Sequence, residues 1–429
     1  MPTLQSVISC LSDYDPAALP VDQANRIIGE VVEPVRGVEQ LPIRSALDRV
    51  LAEDIVSPID VPAHDNSAMD GYAFQGAALA AAQTATVELE VIGSAFAGGA
   101  GALAPTAAQA VRIMTGAVMP AGCDTVVPQE FVEGVDDGAR IRFAADCVRT
   151  GDNRRLRGED LARGQAALQA GRILQPADLG LLASLGVAEV RVRRRLRVAF
   201  FSTGDELRSI GEPLDPGCVY DSNRYTLHGM LRRMNVDLLD MGVVRDDPDA
   251  LEAAFRTACE TADAVITSGG VSVGEADYTK QIMARLGDVT FWKIAMRPGR
   301  PMAFGRINSN GRDALLFGLP GNPVAVMVTF YHFVRAALQR LMGASVPPLP
   351  LLRVRSAQAI RKKPGRTEYQ RGILARAGDG QWEVRITGQQ GSGVLRSMSE
   401  ANCFIVLGHE QDSVKAGDAV EVMLFDGLV

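Results

Sequence analysis

The stretch 264–280, AVITSGGVSVGEADYTK, decides the fold. Its apolar start (Ala264, Val265, Ile266) reads as the end of a buried strand. A Gly-rich turn follows, and from Asp277 the pattern is helical. A strand that delivers into such a turn and then a helix is half of a βαβ unit. The turn leaves backbone N–H groups free for an anion, and acids beside it can hold a hard cation against that anion. Ser268, Gly269, Gly270 and Ser272 are therefore candidates for phosphate contact.

Outward from this stretch the alternation continues. Strands are expected at 196–201, 236–241, 262–267, 289–295 and 314–317, with helices at 223–234, 248–259, 277–286 and 322–341. Strands separated by helices predict a doubly wound, mostly parallel α/β sheet. Upstream, 20–32 has helical spacing, and about 45–160 carries short alternating runs between Pro and Gly, as in a β-rich domain. A helix is expected at 176–189, followed by a strand at 190–197 whose arginines 191, 193 and 195 read as one solvated face. Prolines 347, 348 and 350 mark a linker, and the last ~80 residues read as a small β domain.

At 429 residues the chain has room for about three domains with full cores. The net charge of −7 argues against a general nucleic-acid surface. Six cysteines without a CxxC pair and four scattered histidines argue against structural zinc and for a reduced, cytoplasmic home. The start of the chain has no basic region of a secretory signal. The uncharged run at 91–111 is too rich in Gly and polar residues to span a bilayer, so no membrane segment is expected.

Ligands of open α/β sheets bind beyond the carboxyl ends of the strands. Five clusters are expected there: Ser202–Glu206, Arg245–Pro248, Ser268–Gly270 with Asp277 beyond, Lys293 with Arg297–Arg300, and Leu319–Pro323. Each alone reads as a cap or turn; together on one edge they read as a site. Glu206, Asp246 and Asp277, if gathered, repel by several kcal/mol at an effective dielectric of about 20 and so demand a cation. Oxygen donors without Cys or His favour Mg²⁺. Lys293, Arg297 and Arg300 add positive charge for an oxyanion. The sheet segment lacks a Walker lysine motif and a GxGxxG, which counts against ATP-loop and dinucleotide readings.

These residues carry a resemblance. DVPAHDNSAMDGYA (60–73), RIMTGAVMP (112–120), VVPQE (126–130), RRLRGED (154–160) and STGDEL (202–207) resemble motifs of the MoeA family of molybdopterin molybdenumtransferases, to which the C-terminal domain of gephyrin also belongs. So do TSGGVSVGEADYTK, FWKIAMRPGRP (291–301), GLPGNPVAV (318–326), YQRG (369–372) and GQQGSG (388–393). The resemblance covers nearly the whole chain. It implies an elongated four-domain subunit, α/β plus β domains: residues 1–57 with 163–193 as a discontinuous helical dimerisation domain, 58–162 β-rich, 194–345 α/β and 346–429 C-terminal β. It further implies a homodimer whose cleft lies between the β-rich domain of one copy and the last two domains of the other.

The implied activity places molybdate on the dithiolene of adenylylated molybdopterin, with Mg²⁺-dependent cleavage of the phosphoanhydride and release of AMP. Implied partners are the two substrates, the adenylyltransferase that supplies one of them, and downstream maturation factors of molybdoenzymes. Carried over by position, Glu206, Asp246, Asp277, Asp70, Thr115 and Lys293 match catalytic positions. Arg155, Asp160, Pro320, Pro323, Arg297, Arg300, Arg371 and Ser392 match substrate-binding ones, the last four toward molybdate. The family's Lys-Pro-Gly-Lys is here Arg297-Pro-Gly-Arg300, which exchanges compact ammonium groups for planar forks. Ala325 stands where a Ser is common, removing one hydroxyl donor. Two other readings keep parts of this pattern: a molybdopterin adenylyltransferase, whose GGTG-type turn is absent here, and a gephyrin-like scaffold, which has no need of the three acids.

Overall fold

The computed structural model describes residues 3–11, 14–82, 85–99, 103–271, 277–345 and 347–425, with the backbone alone of Asp277. The strand that opens the stretch quoted above lies in the middle of a six-stranded sheet. Its strands are β1 (Arg197–Thr203), β2 (Asp237–Val244), β3 (Ala264–Ser268), β4 (Gly287–Lys293), β5 (Pro301–Ser309) and β6 (Arg312–Leu319), in the order β2-β1-β3-β6-β5-β4. Helices α1 (Ser222–Arg233), α2 (Pro248–Thr261), α3 (Asp277–Leu286) and α4 (Pro323–Thr329) cover it, and α4 runs through one π-turn at Phe330–Val334 into α5 (Arg335–Leu341).

Alternate residues of the strands enter opposite cores, as a pleat requires. Val198, Phe200, Ile266, Leu315 and Phe317 face α1 and α4, while Ala199, Phe201, Val265 and Leu316 face α2 and α3. β2, β1, β3 and β6 are parallel. β5 is antiparallel to both β6 and β4. The sequence reading places no strand at 301–309, and the sheet is mixed on that side for two local reasons. Asn310 and Gly311 (φ 49° and 72°) make a two-residue turn from β5 to β6, the geometry that Asn-Gly favours. The 294–300 connection before β5 is also too short for a parallel crossover.

Helices Leu4–Ser9 and Val21–Val31 dock on the same core through Leu4, Val7, Val21, Ala24, Ile27, Ile28 and Val31. The indole of Trp292 donates to the Tyr14 hydroxyl at 2.9 Å across this contact. A separate stem follows: Val38–Pro42 pairs antiparallel with Glu189–Arg193, and Ile55–Val56 with Ala166–Leu168. Helix Pro176–Ser184, capped reciprocally by Gln175 and Asp178, closes its small core. Arg191 pairs with Glu53 at 2.9 Å, but the strand ends at Arg193, so Arg195 lies beyond the face expected to carry it.

The stem carries a β-rich body, whose sheet joins Gly71–Phe74, Thr86–Ala95, Gln109–Ile113, Thr125–Pro128, Glu133–Val135 and Arg140–Ala144. The C-terminal sheet has β7 (Leu352–Ser356), β8 (Thr367–Arg376), β9 (Trp382–Ile386), β10 (Cys403–Leu407) and β11 (Ala419–Leu424), and β8 pairs with both β9 and β10, so it curls on itself. Met296–Arg297 of the α/β body pairs in parallel with Thr367–Glu368, stitching the two bodies together. No helix among the described residues is long and apolar enough to cross a membrane.

Candidate active site

Topology gathers the expected clusters. β1, β2, β3 and β6 end at one edge of the sheet, and two antiparallel steps bring the end of β4 and the start of β5 there too. Thus Glu206, Asp246, Gly269–Gly270, Lys293, Arg297–Arg300 and Pro320–Pro323 share one rim.

Gly269 needs its missing side chain. At φ 93° an added Cβ would lie 2.5 Å from the Thr203 carbonyl oxygen. Its N–H donates to the Leu319 carbonyl at 3.1 Å, so of the two turn glycines only Gly270 keeps an N–H without a partner among the described residues. Ser268 is buried and shares a hydrogen bond with the Ser202 hydroxyl at 3.0 Å, which commits it to the sheet. Ser272 lies outside the described residues. The buried Asn223, from the first turn of α1, donates to the Gly321 carbonyl at 2.7 Å and holds the Pro320–Pro323 turn beside the glycines.

Two of the three expected acids have described side chains. Glu206 is exposed and folds back on Gly204, where an added Cβ would meet its Oε2 at 2.6 Å. Asp246 is exposed at the end of β2, and its N–H donates to Asp205 Oδ1 at 3.4 Å. The backbone of Asp277 opens α3, while its side chain lies outside the described residues. Among the described residues no three His, Cys, Asp or Glu side chains form a group ready for a metal. A cavity of about 780 Å³ opens beside this edge, lined by Gly204, Asp205, Arg208, Glu212 and Arg245.

The basic half of the rim is better defined. A cavity of about 370 Å³ between the α/β and C-terminal bodies is lined by Arg297, Arg361, Glu368, Tyr369, Arg371 and Gln390. Arg371 is 1% exposed. Its guanidinium donates to the Ser397 hydroxyl and the Gly391 carbonyl, both at 3.0 Å, and more weakly to Gln389 at 3.5 Å. None of these is a carboxylate. Burial, helped by the like charge of Arg297, pushes its pKa down to about 10. The one acid of the cavity, Glu368, is taken by Arg366 at 2.9 Å and by Gln370 at 3.1 Å. Ser392 follows Gly391 in the chain, and its carbonyl accepts from Val324 N–H in the first turn of α4 at 3.0 Å. Ala325 is buried. Arg300 lines a different cavity of about 300 Å³ with Lys363 and Arg366. Lys293 is exposed at the rim, its backbone bonded to Pro16 and Leu19.

Asp70, Thr115, Arg155 and Asp160 lie elsewhere, on the β-rich body, and of these Asp70 and Thr115 are in contact. Asp70 Oδ1 accepts from both the N–H and the hydroxyl of Thr115 at 2.7 Å. The backbone N–H, then the hydroxyl, hold the Asp70 carboxyl below its ordinary range. Arg155 pairs with Asn66 in a short antiparallel ladder, and Asp160 N–H donates to Val61 O at 3.1 Å. Both side chains are exposed. This body joins the stem at residues 55–57 and 164–166.

Asp205, Asn223, Arg361 and Tyr369 are given no role of their own in the sequence reading, although Asp205 falls in the Ser202–Glu206 cluster and Tyr369 in the YQRG motif. Two of them carried a signal: Asp205 adjoins Glu206, and Arg361 opens the basic run RKKPGR (361–366). Asn223 and Tyr369 matter through contacts with distant segments, which no local pattern reveals.

Three family descriptions match the chain in order: MoeA N-terminal region (domain I and II) over residues 19–186, probable molybdopterin binding domain over 199–340, and MoeA C-terminal region (domain IV) over 353–425. A molybdopterin molybdenumtransferase of Haemophilus influenzae is 42% identical over 96% of this chain and all of its own length. A molybdopterin molybdenumtransferase of a Nostoc species is 36% identical over 96% of this chain and 95% of its own. Among solved structures, a molybdopterin biosynthesis MoeA protein of Pyrococcus horikoshii superposes with a TM-score of 0.79 at 27% identity, covering 95% of this chain and 100% of that one.

Proposed function

Since the chain belongs to the MoeA family of molybdopterin molybdenumtransferases, enzymes of molybdenum cofactor biosynthesis, we propose that it inserts molybdate into adenylylated molybdopterin, with cleavage of the phosphoanhydride and release of AMP. The observation that carries this reading is the buried Arg371, a cation without a carboxylate beside a second cation, Arg297, at the mouth of a cavity. Two uncompensated guanidinium groups match a tetrahedral dianion, to which planar forks donate in pairs. Ser392, next in the chain to the Gly391 carbonyl that accepts from Arg371, would bring a hydroxyl toward this wall. Arg300, in the neighbouring cavity, lies outside this wall.

The nucleotide end of the substrate belongs at the acidic half of the rim. The Gly270 N–H is available to a phosphate oxygen, and Lys293 stands at the end of β4 to offset charge on the leaving phosphate. The donors there are all carboxylate oxygens, which suits Mg²⁺, yet the described residues do not form a complete ligand set by themselves. Glu206 and Asp246, with Asp277 from the start of α3, would hold the ion together with phosphate oxygens of the substrate. When bound, it supplies Lewis-acid polarisation of the phosphoanhydride.

Asp70, Thr115, Arg155 and Asp160 sit on a body borne by the stem, with Met69 and Leu156 exposed beside them. This favours a homodimer in which that body closes over the rim of the other copy. Six unpaired cysteines accord with work in the reducing cytoplasm. The reading is tested by supplying the full chain with adenylylated molybdopterin, Mg²⁺ and molybdate and following AMP by chromatography. AMP release that requires molybdate, and that Glu206→Gln and Asp246→Asn abolish, is expected. Release indifferent to molybdate, or undiminished in both variants, overturns it.

A further inference from the structure

The run 361–366, RKKPGR, has a buried residue between two exposed ones. Lys362 is 4% exposed. Its ammonium has three N–H donors, and they go to the backbone carbonyls of Lys363 at 3.2 Å, His409 at 3.2 Å and Gln411 at 2.6 Å. The Lys362 backbone is tied twice to the Ser413 hydroxyl at 3.1 Å, once as donor and once as acceptor. Lys362 thus acts as a pin between two loops of the C-terminal body. Burial without a carboxylate partner pushes its pKa down, a cost accepted for what the pin holds.

What it holds is Arg361, which lines the cavity of Arg297 and Arg371. Arg361 makes no hydrogen bond or ion pair with the described residues, and the cavity's only acid is already taken by Arg366 and Gln370. Among the described residues the cavity therefore carries three guanidinium groups, and its one carboxylate is already engaged by residues outside that set.

We propose that Arg361 is a further oxyanion-binding residue, the third guanidinium around molybdate, and that Lys362 is the positioning residue that fixes the loop presenting it. The inference rests on the molybdate reading above and extends it to a loop outside the sheet rim. Arg361 meets the anion from the C-terminal body and Arg297 meets it from the α/β body, so the bound dianion bridges the two.

The test is calorimetric titration of the full chain with sodium molybdate at fixed ionic strength. Arg361→Ala is expected to weaken binding about tenfold, the scale of one charge-assisted hydrogen bond, with part of the loss recovered in Arg361→Lys. Lys362→Met is expected to weaken it too, but the double variant Arg361→Ala/Lys362→Met no more than Arg361→Ala alone. A pin that acts only on general stability would make the two losses independent. Ser413→Ala, which removes the other tie on the same loop, provides a second cycle with Arg361→Ala should Lys362→Met not fold. Binding by Arg361→Ala within twofold of the parent overturns the first part, and additive losses overturn the second. If Arg371→Met also binds normally, the molybdate site itself is misplaced; if Arg371→Met alone fails, only the present inference falls.

Discussion

Replacing Arg371 by Met separates a functional cation from a structural one. The fall of its pKa from the ordinary guanidinium value to about 10 means that the surroundings disfavour the charged form by about 3 kcal/mol, at about 1.36 kcal/mol per pH unit. Against this stand two good hydrogen bonds, to Ser397 and Gly391, worth about 1.5–3 kcal/mol each from a charged donor. Burying the Met side chain returns a further ~1–2 kcal/mol. These terms nearly cancel, so the variant should differ from the parent by less than about 2 kcal/mol in either direction. Breaking a buried ion pair, by contrast, costs about 3–5 kcal/mol because it strands the partner charge. Arg371 has no such partner among the described residues.

Molybdate affinity should respond differently. Loss of a bidentate pair of charge-assisted bonds amounts to about 3 kcal/mol, or roughly a hundredfold in dissociation constant. Urea unfolding, monitored through a C-terminal body label, measures the first quantity, and titration with molybdate measures the second. A variant destabilised by more than about 4 kcal/mol that still binds molybdate normally would refute the reasoning, since Arg371 would then be a structural pin like Lys362.

Two further outcomes follow from the packing. Gly269→Ala must strain a left-handed position and drive a methyl group onto the Thr203 carbonyl, losing the bond to Leu319; about 3 kcal/mol is expected, lowering the melting temperature of the α/β body by roughly 6–12 °C. A shift below about 2 °C in differential scanning calorimetry contradicts the turn geometry. His332 lies stacked on Tyr369 with ring centroids 3.7 Å apart, and burial pushes its pKa down to about 3. Below the unfolded value of 6.5 the unfolded chain takes up a proton that the folded one refuses, so stability falls as pH drops from about 6.5 toward 3, by about 2 kcal/mol at pH 5. His332→Phe should remove that part of the acid sensitivity, and an unchanged pH profile of urea midpoints would exclude it.

The doubly wound core was legible because its signals are local. Strands β1, β3 and β6 are buried on both faces and read as continuous apolar runs, and α1, α2 and α4 start at Asp221, Asp247-Pro and Asn322-Pro, each a recognisable helix start. The acids at strand ends were legible for the same reason, since position at a carboxyl edge follows from strand order alone. β5 was missed although Asn310–Gly311 announced a hairpin; its run PMAFGRINS mixes Gly, Arg and Asn into a strand that is buried by its neighbours rather than by its own composition. β8, which carries Tyr369 and Arg371, has its place through pairing with β9 and β10 from later in the chain, information that no window of sequence contains.

Charge alone also misjudged the rim. Arg297 and Arg300, three residues apart, read as two arms around one anion, yet they line separate cavities. Arg297 is fixed by the ladder to Thr367–Glu368, which turns it toward Arg371. Gly299 then adopts φ 100° against α4, where a Cβ would come within 2.6 Å of the Thr329 hydroxyl, and the chain leaves this bend with Arg300 beside Lys363 and Arg366. The bend is set by a partner strand and a partner helix, so identical charges receive different surroundings. Arg361 is the converse case, a residue marked only by a basic run that the pin at Lys362 brings into the company of Arg371. Electrostatics at this site is therefore decided by which backbone each cation is tied to, and the count of basic residues along the chain underdetermines it.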